Sequence, residues 1–378
     1  MSHVDFVVIG AGIAGASVAY ELQRHGPVAL LEREPLPGQH TTGRSAAFLV
    51  DSYGGEAVGK LTRAGRSFFE APPEDFSEFP LVTPNPVLWI GRADQQASLR
   101  RALAAGRTAG ARIREVDFTE AQQLCPVLRD DYVAAAAVEP DALHIDVAGL
   151  LEGFLRGFRR RGGELATKAE VTRIAADGAG WQVDAGGRRW QAAVVVDAAG
   201  AWSDVVAERA GVRPIGLQPL RRTAITFDPP VGANVRGWPL VIDADEDFYV
   251  KPEGAQLLAS PCDETPSAPC DANAADYEVA LAAERVQRAT TLEIRHIRRR
   301  WAGLRSFAPD RLPVIGMDPE RAGFFWLAGQ GGFGIMTSPA AARAAAGLIV
   351  EGALPDDLRS VGLDAKQISP QRLSAHAG

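Results

Sequence analysis

The chain has 378 residues, 46% of them apolar, and carries 40 lysines and arginines against 47 acids for a formal charge of −7. That length accommodates two domains or one large α/β body with an insertion. The charge argues against nucleic acid or an anionic membrane as the main partner, and no apolar run reaches the ~18–20 residues of a bilayer span.

The predicted elements open on the strand Val4–Ile9, followed by Gly10-Ala11-Gly12-Ile13-Ala14-Gly15, an alanine-rich helix and a second apolar strand ending at Glu32. Gly10 permits the tight turn, Gly12 lets backbone N–H groups approach a pyrophosphate, and Gly15 lets helix and strand pack closely. The helix N-terminus adds free donors and partial positive charge, and Glu32 is spaced to accept from an adenosine ribose. Together these predict a dinucleotide site. With the first strand starting by residue 4, no signal peptide is expected. Cys125, Cys262 and Cys270 are odd in number and lack metal-ligand spacing, so free thiols, no metal and a cytoplasmic location are expected.

Thr41-Thr42-Gly43-Arg44-Ser45-Ala46-Ala47 follows the second strand, and its hydroxyls and Arg44 are suited to a pyrophosphate. Residues 51–140 read as proline-rich loops with a helix around 93–109. Ala193–Asp197 reads as a buried parallel strand running into the turn Ala198-Ala199-Gly200-Ala201-Trp202. Residues 217–300 read as alternating strands, among them Thr223–Phe227 and Phe248–Val250, then a helix. The acidic run Asp243, Asp245, Glu246, Asp247 reads as a solvated loop, with the alternative that it supplies a charge to a nearby pocket, and Arg298-Arg299-Arg300 reads as a solvated face. The strand Phe324–Ala328 leads into Gly329-Gln330-Gly331-Gly332-Phe333-Gly334 and a long alanine-rich helix to about Val350.

Recurrence of these turns along the chain favours FAD over NAD. The expected fold is α/β: a Rossmann-like FAD-binding domain in discontinuous segments, 1–50, 141–216 and 301–365. A mixed-sheet α+β substrate domain takes 51–140 and 217–300, and 366–378 is a loosely held tail. The turn at 329–334 would direct a helix N-terminus at the flavin ring, where positive charge stabilises the reduced anion by roughly 0.3–1 kcal/mol if exposed.

The segments Val8–Ser17, Leu31–Glu34, Gly43–Ala47, Asp197–Trp202, Trp301–Phe307 and Gly329–Ile335 resemble the glycine oxidase and D-amino acid dehydrogenase family of flavoproteins. Gly216–Pro219 with Arg221-Arg222 makes its bacterial D-arginine dehydrogenases the most similar members. The resemblance implies that Arg222 and Arg305 hold a substrate α-carboxylate, that Tyr249 adds a hydroxyl donor, and that Tyr53 closes over the substrate. It implies a side-chain pocket at Phe48, Val50, Val87 and Gly332. It also implies non-covalent FAD, with contacts from Gly10, Gly12, Ile13, Ala14, Gly15, Glu32, Arg33, Thr42, Gly43, Arg44, Ser45, Ala46 and Ala47. Further contacts would come from Val171, Ala199, Gly200, Trp202, Gly303, Gly331, Gly332, Phe333, Gly334 and Ile335.

The chemistry so implied is hydride transfer from Cα of a D-amino acid to flavin N5, with an electron acceptor (a quinone or another carrier) that the residues do not identify. Where the D-arginine enzymes carry a pocket glutamate, histidine and threonine, this chain has Val87, Phe48 and Val50. An apolar pocket withdraws the counter-charge from a cationic side chain, so hydrophobic or aromatic D-amino acids are expected. A D-arginine or D-lysine preference, a glycine or sarcosine oxidase using O2, and a non-catalytic FAD-binding subunit stay open as alternatives.

Overall fold

The computed structural model describes residues 1–108, 110–178 and 180–374. Its first layer is built on five parallel strands in the spatial order Glu164–Ala166, Val28–Leu31 (β2), Ser2–Ile9 (β1), Arg188–Asp197 and Phe324–Ala328. β1 alternates faces: Val8 joins the helices Ile13–Leu22 (α1), Val147–Arg160 and Gly334–Val350 on one side. Val7 and Ile9 join Trp190, Trp326 and the hairpin Val171–Asp177/Gly180–Ala185 on the other. Burial on both faces explains why these strands read as continuous apolar runs.

A second, nine-stranded sheet is mixed. Gln218–Phe227 pairs antiparallel with Ile297–Phe307 on one side and with Gln256–Ser260 and Thr265–Pro266 on the other. Tyr249–Glu253 and Leu240–Asp243 continue it, and Val87–Gly91 joins Leu240–Asp243 in parallel. One face packs on the helix Asp276–Ala289 through Ile225, Phe227, Val250, Val279 and Val286. The opposite face turns toward the nucleotide layer. Ile297–Phe307 is one unbroken strand of this sheet, so Trp301–Phe307 sits with the second sheet and not with the nucleotide segments to which the sequence division gave it.

The C-terminal segment departs from expectation as well. Ile368 is fully buried, Arg372 pairs with Asp310 at 2.6 Å, and Pro370 packs so tightly on Gly316 that a Cβ there would stand 2.7 Å from it. The tail is docked as far as residue 374, and 375–378 lie outside the described residues. Among the described residues no helix is long and apolar enough to cross a membrane.

Gly15 is where the first layer tolerates least. A Cβ there would stand 1.8 Å from the Gly10 carbonyl oxygen, and forced overpacking costs ~1–3 kcal/mol or more. Gly15→Ala is expected to lower the melting temperature by several degrees and to yield protein depleted of bound flavin, read from the visible absorbance of the purified variant.

Candidate active site

Two cavities meet at a waist formed by Gly12, Thr41, Thr42, Ala198, Gly200 and Ala201. Gly10, at φ +97°, has no room for a side chain, since its Cβ would meet the Ala198 carbonyl oxygen at 2.6 Å. α1 starts beyond Gly12 with no side-chain cap, leaving first-turn donors and the positive helix end at the waist. Thr42 Oγ1 accepts from the Ile13 N–H at 3.0 Å. Glu32 accepts from the Ala11 and Glu34 N–H groups, each at 2.9 Å, so it braces the glycine turn as well as lining the smaller cavity. Gly10, Arg33, Val171, Ala199 and Trp202 also line that cavity, with the Arg33 guanidinium 4.6 Å from the Trp202 ring centre.

The larger cavity runs past Ile13, Ala14, Ser45, Ala46, Ala47 and Gly303 to Gly331, Gly332, Gly334 and Ile335. The 17-residue helix Gly334–Val350 also begins without a side-chain cap, so a second positive helix end faces the inner chamber. A glycine-lined waist between two chambers, each met by an uncapped helix, fits a dinucleotide whose pyrophosphate lies at the waist and whose redox ring lies inward.

Four expected cofactor contacts are corrected. Gly43 lines neither cavity: its N–H donates to the Gly38 carbonyl at 2.7 Å, and its lack of a side chain serves that loop. Phe333 also stands outside, packed edge-on to Tyr53 with centroids 5.1 Å apart. Gly15 acts only through packing. Arg44 reaches the larger cavity, but its guanidinium donates to the Ala272 and Ala302 carbonyls at 2.8 and 2.9 Å and pairs with Asp271. It ties the second sheet to the nucleotide layer and is not a free cation for a pyrophosphate.

Strand register builds the inner end. Arg222 lies opposite Gly303, and Leu220 opposite Arg305, so the two arginines are diagonal neighbours on one face of adjacent strands. Arg222 is 9% exposed; its Nε donates to the Asp263 carbonyl at 2.9 Å, and Glu264 lies 3.5 Å from Nη2. Arg305 has as its hydrogen-bond partner only the Tyr53 hydroxyl, at 3.5 Å, and no ion-pair partner among the described residues. Its guanidinium lies so close to Gly332 that a Cβ there would stand 2.8 Å from Nη1. Tyr249, Tyr53, Phe48 and Val50 line the same chamber, with Leu240, Ile242, Ala224 and Cys262, which sequence reasoning had not placed there, and with Glu246 from the acidic run. Burial pushes both tyrosine hydroxyls up from their ordinary range and the Cys262 thiol up to about 11, so at neutral pH all three are protonated.

One further expectation fails here and another holds only in part. Val87 is fully buried in the cluster with Phe48, Val50 and Leu240 and does not reach the cavity surface. The acidic run is not simply a solvated loop: Asp243 is fully buried and accepts from Gln95 Nε2 at 2.8 Å and the Tyr132 hydroxyl at 2.9 Å. That network shapes a turn in which Glu246 takes φ +57° and stands 3.3 Å from the Tyr53 hydroxyl. Leu240 and Ile242 share a face by the two-residue period of the strand, but the run Leu240-Val241-Ile242 is continuously apolar and does not say which face lines a site; nothing in the sequence pattern marked Glu246 apart from its neighbours.

The paired chambers, the bracing acid and the two helix ends define an FAD-dependent oxidoreductase. A sequence model of the FAD dependent oxidoreductase (DAO) family matches residues 5–348, and the chain belongs to that family. It is 24% identical over 391 residues to the glycine oxidase of Geobacillus kaustophilus, across 100% of this chain and 99% of that protein. Human mitochondrial sarcosine dehydrogenase is 26% identical across 94% of this chain, which spans 41% of that longer protein. Among solved structures, L-proline dehydrogenase from P. horikoshii superimposes with a TM-score of 0.86 at 22% identity, covering 99% of each chain. The G. kaustophilus glycine oxidase structure gives 0.82 at 22% identity, over 96% of this chain and 99% of that one. At those identities the structural likeness shows the fold.

Beneath the waist, Asp197 is fully buried at the end of its strand. One carboxyl oxygen accepts from the Ala199 N–H at 3.1 Å and the other has no hydrogen-bond partner among the described residues. Burial pushes its pKa up to about 8, whereas an Asp in an unfolded chain titrates near ~3.9. Between those values the folded state holds more protons, so this group's contribution to stability falls as pH rises and is gone above about 8. Wild-type melting temperature is expected to fall between pH 6 and pH 8.5, and Asp197→Asn to reduce that fall by several degrees, read by differential scanning fluorimetry.

Proposed function

We propose that this flavoprotein oxidises the Cα–N bond of an α-amino acid and prefers D-amino acids with apolar side chains. The observation that carries the reading is Arg305, a guanidinium inside the chamber whose hydrogen-bond partner is one distant hydroxyl. Arg305 is half-buried, and a cation enclosed in this way without a matching anion is under-satisfied. A substrate carboxylate supplies the match, and each charge-assisted bond is worth ~1.5–3 kcal/mol net. Arg222, anchored at Nε by the Asp263 carbonyl, presents the second cation, and the protonated Tyr249 and Tyr53 hydroxyls add neutral donors.

Bound FAD supplies the acceptor for hydride leaving Cα, after which water converts the imino acid to a 2-oxo acid and ammonia. The protein's task is placement. The carboxylate clamp fixes one end of the substrate, while Phe48, Val50, Leu240 and Ile242 bury its side chain at ~25 cal/mol per Å². The chamber's tyrosine and cysteine side chains are held protonated, so none of these is the base for the amine proton at neutral pH.

A second reading is favoured by Glu246, the one carboxylate lining this chamber among the described residues: a cationic side chain meeting that acid makes a D-arginine or D-lysine dehydrogenase. The relatives' names add glycine and sarcosine as smaller candidates. Anaerobic flavin bleaching with D-Leu, D-Phe, D-Arg, L-Leu, glycine and sarcosine separates them. D-Leu or D-Phe is expected to exceed the others at least tenfold in kcat/KM; D-Arg first supports the Glu246 reading, and glycine or sarcosine first the small-amine reading. The rate at which air restores the yellow colour distinguishes oxidase from dehydrogenase.

Arg305→Met is expected to lower kcat/KM by ~30-fold or more with FAD retained, the equivalent of ~2 kcal/mol of lost carboxylate binding. Unchanged kcat/KM would contradict the carboxylate role of Arg305, whereas no turnover of any panel substrate by the wild type would point to a flavin-binding role without this chemistry.

A further inference from the structure

Glu139 ends the strand Ala135–Glu139, is 1% exposed and lies outside both cavities. Its carboxylate is held by one loop. Oε1 accepts from the Asp51 N–H at 2.9 Å and Oε2 accepts from the Ser52 hydroxyl. No cation pairs with it among the described residues, since the nearby Arg66 is committed to Asp51 at 2.8 Å and Glu70 at 3.2 Å. A buried acid without a counter-ion is a poor packing element; an apolar residue would serve that purpose at less cost. What it does provide is two directional bonds to consecutive residues.

The next residue is Tyr53, whose hydroxyl lies 3.3 Å from Glu246 and 3.5 Å from Arg305. After it come Gly54 at φ +96° and Gly55 at φ +76°. A Cβ on Gly55 would meet nothing within 4 Å, so its backbone conformation, and not crowding, calls for glycine there. The segment is therefore tethered at 51–52 and enters the helix Gly55–Glu70 through two positive-φ glycines, with Tyr53 between.

We propose that Glu139 is a positioning residue for substrate binding: by tethering Asp51 and Ser52 it sets the place of Tyr53 over the carboxylate end of the chamber. The inference rests on the reading of Tyr53 as a substrate contact. Glu139 touches neither substrate nor cofactor, and its effect runs through the tyrosine alone.

A double-mutant cycle tests this, with KM and kcat measured for the first-ranked amino acid of the panel above and flavin content measured alongside. Glu139→Gln keeps size and removes one acceptor. It is expected to raise KM about tenfold, change kcat less than threefold and leave flavin content intact. In a Tyr53→Ala background the same substitution is expected to change KM less than twofold. Should Glu139→Gln fail to fold, Ser52→Ala removes one tether from the loop side and is expected to show the same background dependence with a smaller rise, about threefold. An equal effect in both backgrounds, or none in the wild type while Tyr53→Ala raises KM, overturns the inference and leaves the substrate reading intact. An unchanged KM in Tyr53→Ala itself removes the reading of Tyr53, and this inference with it.

Discussion

The structure turns on the cost of keeping two guanidinium groups on the inner face of a β-sheet. Arg222 and Arg305 stand diagonally across one strand pair. Between them they have a carbonyl, one carboxylate at 3.5 Å and one hydroxyl at 3.5 Å. The helix Asp276–Ala289 covers the other face with an apolar core, so the sheet cannot turn these charges away without exposing that core. The nucleotide layer in turn brings an uncapped helix and a glycine turn up against Arg305, where Gly332 leaves just enough room for the guanidinium. A cation placed in this way is stable enough to keep and under-satisfied enough to bind an acid.

Much of the nucleotide layer was legible because its demands are local. A strand, three spaced glycines and an acid twenty residues on can be read without knowing what packs where, and the observed β1, α1 and β2 follow that reading. The same holds for the strand Phe324–Ala328 and the helix to Val350. The helix Gly55–Glu70 was missed: glycines at 55, 59 and 65 weaken its local signal, and tertiary packing supplies what propensity lacks. The docked tail was missed for a related reason, since its two helices are four residues each and are held by Asp310 and Gly316 from far upstream.

The candidate site was legible in its cations and in part of its walls, since Phe48 and Val50 line the chamber and Val87 does not. Val87 failed because the parallel pairing that sets it beside Leu240 also buries it with Phe48 and Val50. Arg44 failed because the carbonyls it satisfies, at Ala272 and Ala302, come from the other sheet. Glu246 was hidden in a run of four acids whose members have different fates, one fully buried, one lining the chamber, two at the surface or half-buried. Each miss concerns a contact over a hundred residues long, where sequence pattern carries no register.

The central claim is that the inner chamber recognises an acid through Arg222 and Arg305 beside the flavin. Its most direct measurement is a titration of the purified holoenzyme with benzoate, an unreactive carboxylate, followed through the visible flavin spectrum, with benzylamine as the matched compound lacking the acid. The account predicts a saturable spectral shift with benzoate alone, weakened at least tenfold in both Arg222→Met and Arg305→Met. A shift of equal affinity in the wild type and either variant, or a response to benzylamine as strong as to benzoate, would contradict it.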